Sequence, residues 1–128
     1  SGYPRGDVWT IDRSDHDWQV DVEVYGLHRI HRVLGDTCGE EASRRVPEAI
    51  DLLFIDADHT PAAVLRDYAF WRPRVRPGGV VLFDDRQWEG NTSAWDKIVA
   101  SEPNAQAWKL DELHTPFGFG AILIGDSP

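Results

Sequence analysis

The sequence predicts an α/β fold: a mostly parallel sheet with helices on both faces and a C-terminal antiparallel hairpin. Three observations carry this expectation. Leu52-Leu53-Phe54-Ile55 and Val80-Val81-Leu82-Phe83 are short apolar runs without polar alternation, the pattern of strands covered on both faces. Between them Thr60 can cap and Pro61 can open a helix whose Ala63, Val64, Tyr68 and Trp71 fall near one face. Arg76-Pro77-Gly78-Gly79 then reads as the signal that stops this helix and turns the chain back. Strand, helix and second strand make a right-handed βαβ unit.

The other elements follow in chain order. Val8 to Asp12 reads as a strand ending in an acid. Ser14 to Gly26 has capping residues at its start and Gly at its end, which predicts a helix, although Val20, Val22 and Val24 alternate as a strand would. His28 to Leu34 is predicted as a strand, followed by the turn Gly35-Asp36-Thr37 and a helix over Glu40 to Arg45. His28 and His31 have no evident partner in the sequence and read as surface residues of that strand. Asn91, Thr92 and Ser93 offer caps for a helix over Ala94 to Ser101. Ala105 to Leu110 and Gly118 to Ile124 are the closing hairpin strands, with Trp108 and Phe119 expected in the core and Trp95 expected to serve packing.

Composition sets the bounds. The 128 residues suit a single domain, and 41% apolar with 11% aromatic residues is enough to fold. The net charge of −9 argues against nucleic acid or an anionic membrane as the main partner and says little about a small neutral substrate. A single cysteine, Cys38, has no partner for an internal disulfide, which fits a reducing, cytoplasmic setting. No apolar run reaches membrane-spanning length.

The chemistry gathers where the two central strands end. Asp56 and Asp58 follow the first and Asp84 and Asp85 the second, at the edge where open α/β sheets bind ligands. Clustered carboxylates repel unless a cation neutralises them, and hard oxygen donors select Mg²⁺, Mn²⁺ or Ca²⁺. The competing reading is that these acids only cap strands and solvate loops.

These residues also carry a resemblance. Asp51 to Gly79 resembles the fourth strand, following helix and Pro-Gly-Gly turn of class I S-adenosylmethionine-dependent methyltransferases, which have a Rossmann-like sheet. More narrowly, Ile55-Asp56-Ala57-Asp58-His59 and Phe83-Asp84-Asp85-Arg86-Gln87-Trp88-Glu89-Gly90 are similar to the VDADK and YDNxLWxG motifs of the metal-dependent catechol and caffeoyl-CoA O-methyltransferases. The resemblance implies Asp56, Asp84 and Asp85 as metal ligands, the last at a place that is often Asn. It puts His59 where the family has the lysine presumed to be the general base, a role imidazole can fill near neutral pH. His59 can equally cap the helix that begins at Pro61. It puts Trp88 near the substrate pocket, against a competing role as a packed loop anchor, and Ala57 and Asp58 at the cofactor. Asp12 falls on the acid that accepts hydrogen bonds from the ribose hydroxyls. Asp36 and Thr37 fall on the turn that lines the adenine, though an ordinary polar turn capping the next helix reads the same way.

The implied function is S-adenosylmethionine-dependent, metal-assisted O-methyl transfer to a small-molecule hydroxyl. The family's first strand and glycine-rich loop should precede Asp12, yet only eleven residues stand before it, so the first βα unit is expected to be missing. Three alternatives follow: a fragment incomplete at its N-terminus, a homo-oligomer or strand exchange that completes the sheet, or a non-catalytic module with a methyltransferase fold. Asp56-Ala57-Asp58-His59-Thr60 also satisfies the DxDxT motif of haloacid-dehalogenase-like phosphohydrolases. That reading ranks behind, because the only lysines, Lys97 and Lys109, follow the acid pair instead of preceding it.

Overall fold

The computed structural model describes residues 6–12, 30–55, 60–84, 91–109 and 119–125. The chain divides into two compact units, Ser1–Val46 and Pro47–Pro128. The expected helix over Ser14 to Gly26 lies outside the described residues.

In the first unit, β1 (Val8–Asp12) and β2 (Ile30–Leu34) form a parallel two-stranded sheet, with Val8 opposite Ile30 and Asp12 opposite Leu34. α1 (Glu40–Arg45) follows, and its termini complement the helix dipole, Glu40 and Glu41 in the first turn and Arg44 and Arg45 in the last. Among the described residues of this unit, Val33, Ala42 and Val46 are the buried apolar ones.

The second unit is a four-stranded mixed sheet in the order β3-β4-β6-β5. β3 (Ile50–Ile55) and β4 (Val75–Asp84) pair in parallel through α2 (Pro61–Trp71), the expected βαβ order. α3 (Asn91–Ala100) precedes β5 (Gln106–Lys109), and β6 (Phe119–Leu123) runs antiparallel to both β4 and β5, the expected closing hairpin. Thr60 caps α2 by accepting from the Ala63 N–H at 3.2 Å, with Pro61 in the first turn. Val64, Tyr68 and Trp71 are buried from α2, as their spacing predicts.

Three expectations are corrected. α2 ends at Trp71, followed by a short 3-10 turn over Arg72–Arg74, so the helix stops before the Pro-Gly-Gly segment. That segment lies inside β4 as an irregularity: Ile50 pairs with Val75 and Leu52 with Val80, so the extra residues of β4 loop out. Gly78 takes a positive φ of 83°, and its N–H donates to the Ile124 carbonyl at 3.0 Å, while the Gly79 carbonyl accepts from Ile124 N–H at 2.9 Å. Trp108 is 45% exposed rather than core, because β5 is an edge strand and Trp108 shares its face with Ala121, opposite the face of Ile122. His31 has partners: it stacks on Trp9 with ring centroids 4.6 Å apart, and its Nε2 lies 3.2 Å from Asp7 Oδ1. The parallel register, which puts Trp9 opposite His31, brings these rings together.

The core of the second unit lies between its helices and one face of the sheet. Val81, Phe83 and Ile122 from the strands meet Tyr68 from α2 and Trp95 and Ile98 from α3. Trp95 is 4% exposed, in keeping with a packing role. It lies over Gly120, where an added Cβ would come within 2.5 Å of its ring, so only glycine leaves that space. On the opposite face, Leu52 and Phe54 of β3 are 55% and 49% exposed.

Candidate active site

At the C-terminal edge of the first unit, strand pairing and a closed turn bring three predicted residues together. Asp12 ends β1, and its carbonyl accepts from the Gly35 N–H at 2.8 Å, joining the end of β1 to the turn after β2. Gly35 has φ +144°, a conformation that suits glycine and strains a side chain. Asp36 then organises the turn through both its groups: its Oδ1 accepts from Cys38 N–H at 2.9 Å and its carbonyl from Gly39 N–H at 3.0 Å. Such an Asx arrangement is the local reason that an aspartate stands at this position. Thr37 Oγ1 donates to Cys38 Sγ at 4.0 Å. Asp12 and Thr37 are half-buried and Asp36 is exposed, so one edge presents a carboxylate from a strand end beside a turn with a carboxylate and a hydroxyl.

At the corresponding edge of the second unit, Asp84 is the last residue of β4 and is half-buried. Its neighbour Phe83 pairs with Ile55, the final residue of β3, so the parallel register brings the ends of the two acid-bearing strands level. Asp56, Ala57, Asp58 and His59, which follow β3, lie outside the described residues, as do Asp85 and Trp88 after β4. Among the described residues, no three His, Cys, Asp or Glu side chains converge as a metal site would require. The donor set that the resemblance implies for this edge is all oxygen, a chemistry that suits a hard divalent cation.

Beneath Asp84 lies a packed group that sequence inspection passed over. The Phe83 ring sits between Tyr68, 6.1 Å away and tilted, and Trp95, 5.6 Å away and edge-on. The Tyr68 hydroxyl donates to Glu102 Oε1. Arg72 grips the same carboxylate, Nε to Oε1 at 2.5 Å and Nη2 to Oε2 at 3.2 Å. Burial pushes the Glu102 carboxyl up, but the hydrogen bonds from Arg72 and Tyr68 and the Arg72 charge outweigh it and hold the group below the usual carboxylate range. Burial, reinforced by the hydrogen bond to Glu102, drives the Tyr68 phenol upward, so it stays a donor at any physiological pH. The run Val80 to Phe83 signalled a buried strand, but no local signal joins Tyr68 to Glu102, 34 residues apart.

Comparison with known proteins decides the family. A methyltransferase domain model matches residues 3–86, more than half of the chain. The chain belongs to the methyltransferase domain family. This methyltransferase domain is 37% identical over 81 residues to an uncharacterised protein of Acanthamoeba polyphaga mimivirus, covering 60% of the chain and 34% of the relative. It is 27% identical over 125 residues to the 8-demethyl-8-alpha-L-rhamnosyl tetracenomycin-C 2'-O-methyltransferase of Streptomyces olivaceus, covering 95% of the chain and 29% of the relative. It thus spans about a third of the length of the curated relatives it matches. The crystal structure of an O-methyltransferase from Bacillus cereus in complex with SAH is similar with a TM-score of 0.61 at 19% identity, over 92% of this chain and 63% of that one. That likeness shows the fold, a Rossmann-like α/β one. Among the described residues, no helix is long and apolar enough to cross a membrane.

Proposed function

We propose that this domain transfers a methyl group from S-adenosylmethionine to a hydroxyl of a small molecule, assisted by a divalent cation. The observation that carries the reading is the first unit's edge, where the Gly35 N–H ties the end of β1 to the Asp36 turn in a chain of the methyltransferase family. Two vicinal ribose hydroxyls can both donate to the Asp12 carboxylate, and the Asp36 and Thr37 side chains suit the adenine amino group. In the second unit, the resemblance assigns Ala57 and Asp58 to cofactor contact. Asp84, with Asp56 and Asp85, would hold Mg²⁺ or a similar cation, whose bound form lowers the pKa of an acceptor hydroxyl and orients it. His59 would take the hydroxyl proton as the acceptor oxygen attacks. In that step the O–CH₃ bond would form while the S–CH₃ bond broke, with the methyl sulfonium leaving as a neutral thioether. Trp88 would flank the acceptor. The rhamnosyl 2'-O-methyltransferase relative makes a sugar hydroxyl one acceptor to try beside catechols and other phenols. The small acceptor also suits a net charge of −9, which disfavours nucleic acid.

The test is calorimetric titration with S-adenosylmethionine, with and without Mg²⁺, followed by detection of SAH in the presence of hydroxyl acceptors. Binding with turnover supports the reading, and Asp84→Asn should then weaken cation binding far more than Asp96→Asn, since Asp96 is exposed on α3. Asp67 is unsuitable as a control because it is 6% exposed within α2. A folded protein that binds neither ligand points instead to an interaction module, a reading for which the half-exposed Leu52 and Phe54 offer an apolar surface.

A further inference from the structure

The end of β4 is held by more than its strand partners. Phe83, 3% exposed, packs against Tyr68 from α2, tilted at 6.1 Å, and against Trp95 from α3, edge-on at 5.6 Å. Gly120, directly opposite Phe83 on β6, leaves the room that Trp95 needs. Tyr68 in turn has its hydroxyl fixed by Glu102, whose two carboxylate oxygens are both held by Arg72. Successive residues of a strand point to opposite faces, so Asp84 presents its carboxylate on the other side from the Phe83 ring. Its pairing with Phe119 on β6 holds it from one side, and the seating of the neighbouring Phe83 backbone bears on it from the other.

We propose that Glu102 and Tyr68 are positioning residues: the carboxylate fixes the phenol, the phenol ring backs Phe83, and Phe83 seats Asp84 at the edge of the sheet. The relay joins α2, which follows the first acidic loop, to the segment just after α3, which follows the second. Motion of one helix against the other would move the floor under Asp84. This inference rests on the reading of Asp84 as a cation ligand. The interface of packed rings is the kind of support that holds a site residue to the tolerance its chemistry needs.

The experiment compares the full chain with its Tyr68→Phe and Glu102→Gln variants by amide hydrogen exchange and by Mn²⁺ titration. Tyr68→Phe keeps the ring and removes only the hydroxyl. Exchange at the Phe83 and Asp84 amides should rise about tenfold in either variant, against less than about twofold at Leu53 and Val81 in the same sheet. Mn²⁺ affinity should fall by roughly fivefold or more, with no comparable loss in Asp96→Asn. A uniform rise in exchange across the sheet, or none, overturns the proposal, because a clasp that serves stability alone would not single out the end of β4. Should Tyr68→Phe fail to fold, Glu102→Gln, at the rim of the cluster, gives the answer. If the unsubstituted protein takes up no Mn²⁺, the cation reading of Asp84 fails, and the exchange pattern still decides whether the relay exists.

Discussion

Two strand pairs in this chain end in acids at the same kind of sheet edge, and they are built by different means. Among the described residues, β1 and β2 stand in a two-stranded sheet, and Val33, Ala42 and Val46 are buried. β3 and β4 belong to a four-stranded sheet with a core that runs from Ile55 and Phe83 through Tyr68, Trp95 and Ile122. A two-stranded sheet is marginal in water by itself, whereas a wider sheet packed on helices is not. Asp12 and Asp36 are joined by main-chain hydrogen bonds and turn geometry, whereas Asp84 ends a strand paired with β6 whose preceding residue, Phe83, is packed in the core. The two edges should fail differently when residues are changed.

The sharpest way to break the comparison is Phe83→Ala. Emptying this site between two aromatic rings should cost about 3–5 kcal/mol of stability, read from the shift of the urea midpoint. A loss below about 1 kcal/mol would mean that the rings do not hold the end of β4.

Glu102→Ala should have the next effect, about 1–3 kcal/mol near neutral pH, because it leaves the Tyr68 hydroxyl and the Arg72 guanidinium without their shared acceptor. Its pH dependence carries a sign. The folded-state pKa of Glu102 lies below its ordinary value of 4.5, so its contribution is complete above that value. It is lost as pH falls through the lowered pKa, since protonation then favours the unfolded chain. Thermal melts of the two proteins should therefore converge under acid, and a gap that stays constant with pH would assign the effect to packing alone.

The smallest effect is expected at the other edge. Asp36→Asn keeps the Oδ1 that accepts from Cys38 N–H, so stability should change by less than about 0.5 kcal/mol, while Asp36→Ala should cost roughly 0.5–1.5 kcal/mol. Calorimetry with S-adenosylmethionine sharpens the contrast: Asp36→Ala should bind about tenfold more weakly, a change of about 1.4 kcal/mol. Equal affinity in all three proteins would leave Asp36 as a turn residue only.

Much of the second unit was legible because its signals are local. Thr60-Pro61 declared the start of α2, and the apolar runs of β3 and β4 declared buried strands, since caps and hydrophobic periodicity act over a few residues. The Asp36 turn was legible for the same reason. The Pro-Gly-Gly segment misled, because a turn signal and a bulge within a strand use the same residues. Trp108 misled because periodicity shows that a residue can be buried, not whether its strand lies at an edge. His31 found Trp9 and Asp7 only through the parallel register of β1 and β2.

The sequence alone determined the α/β class and most of the described elements, which depend on spacing and on caps. Only the tertiary structure decided that Tyr68 and Trp95 close on Phe83, that Gly120 makes room for Trp95, and that Glu102 reaches back across 34 residues to Tyr68. The physical reason is that such contacts have no local signature. They arise when strand register and helix packing bring distant side chains into one dense interior, where shape and hydrogen-bond pairing select the partners.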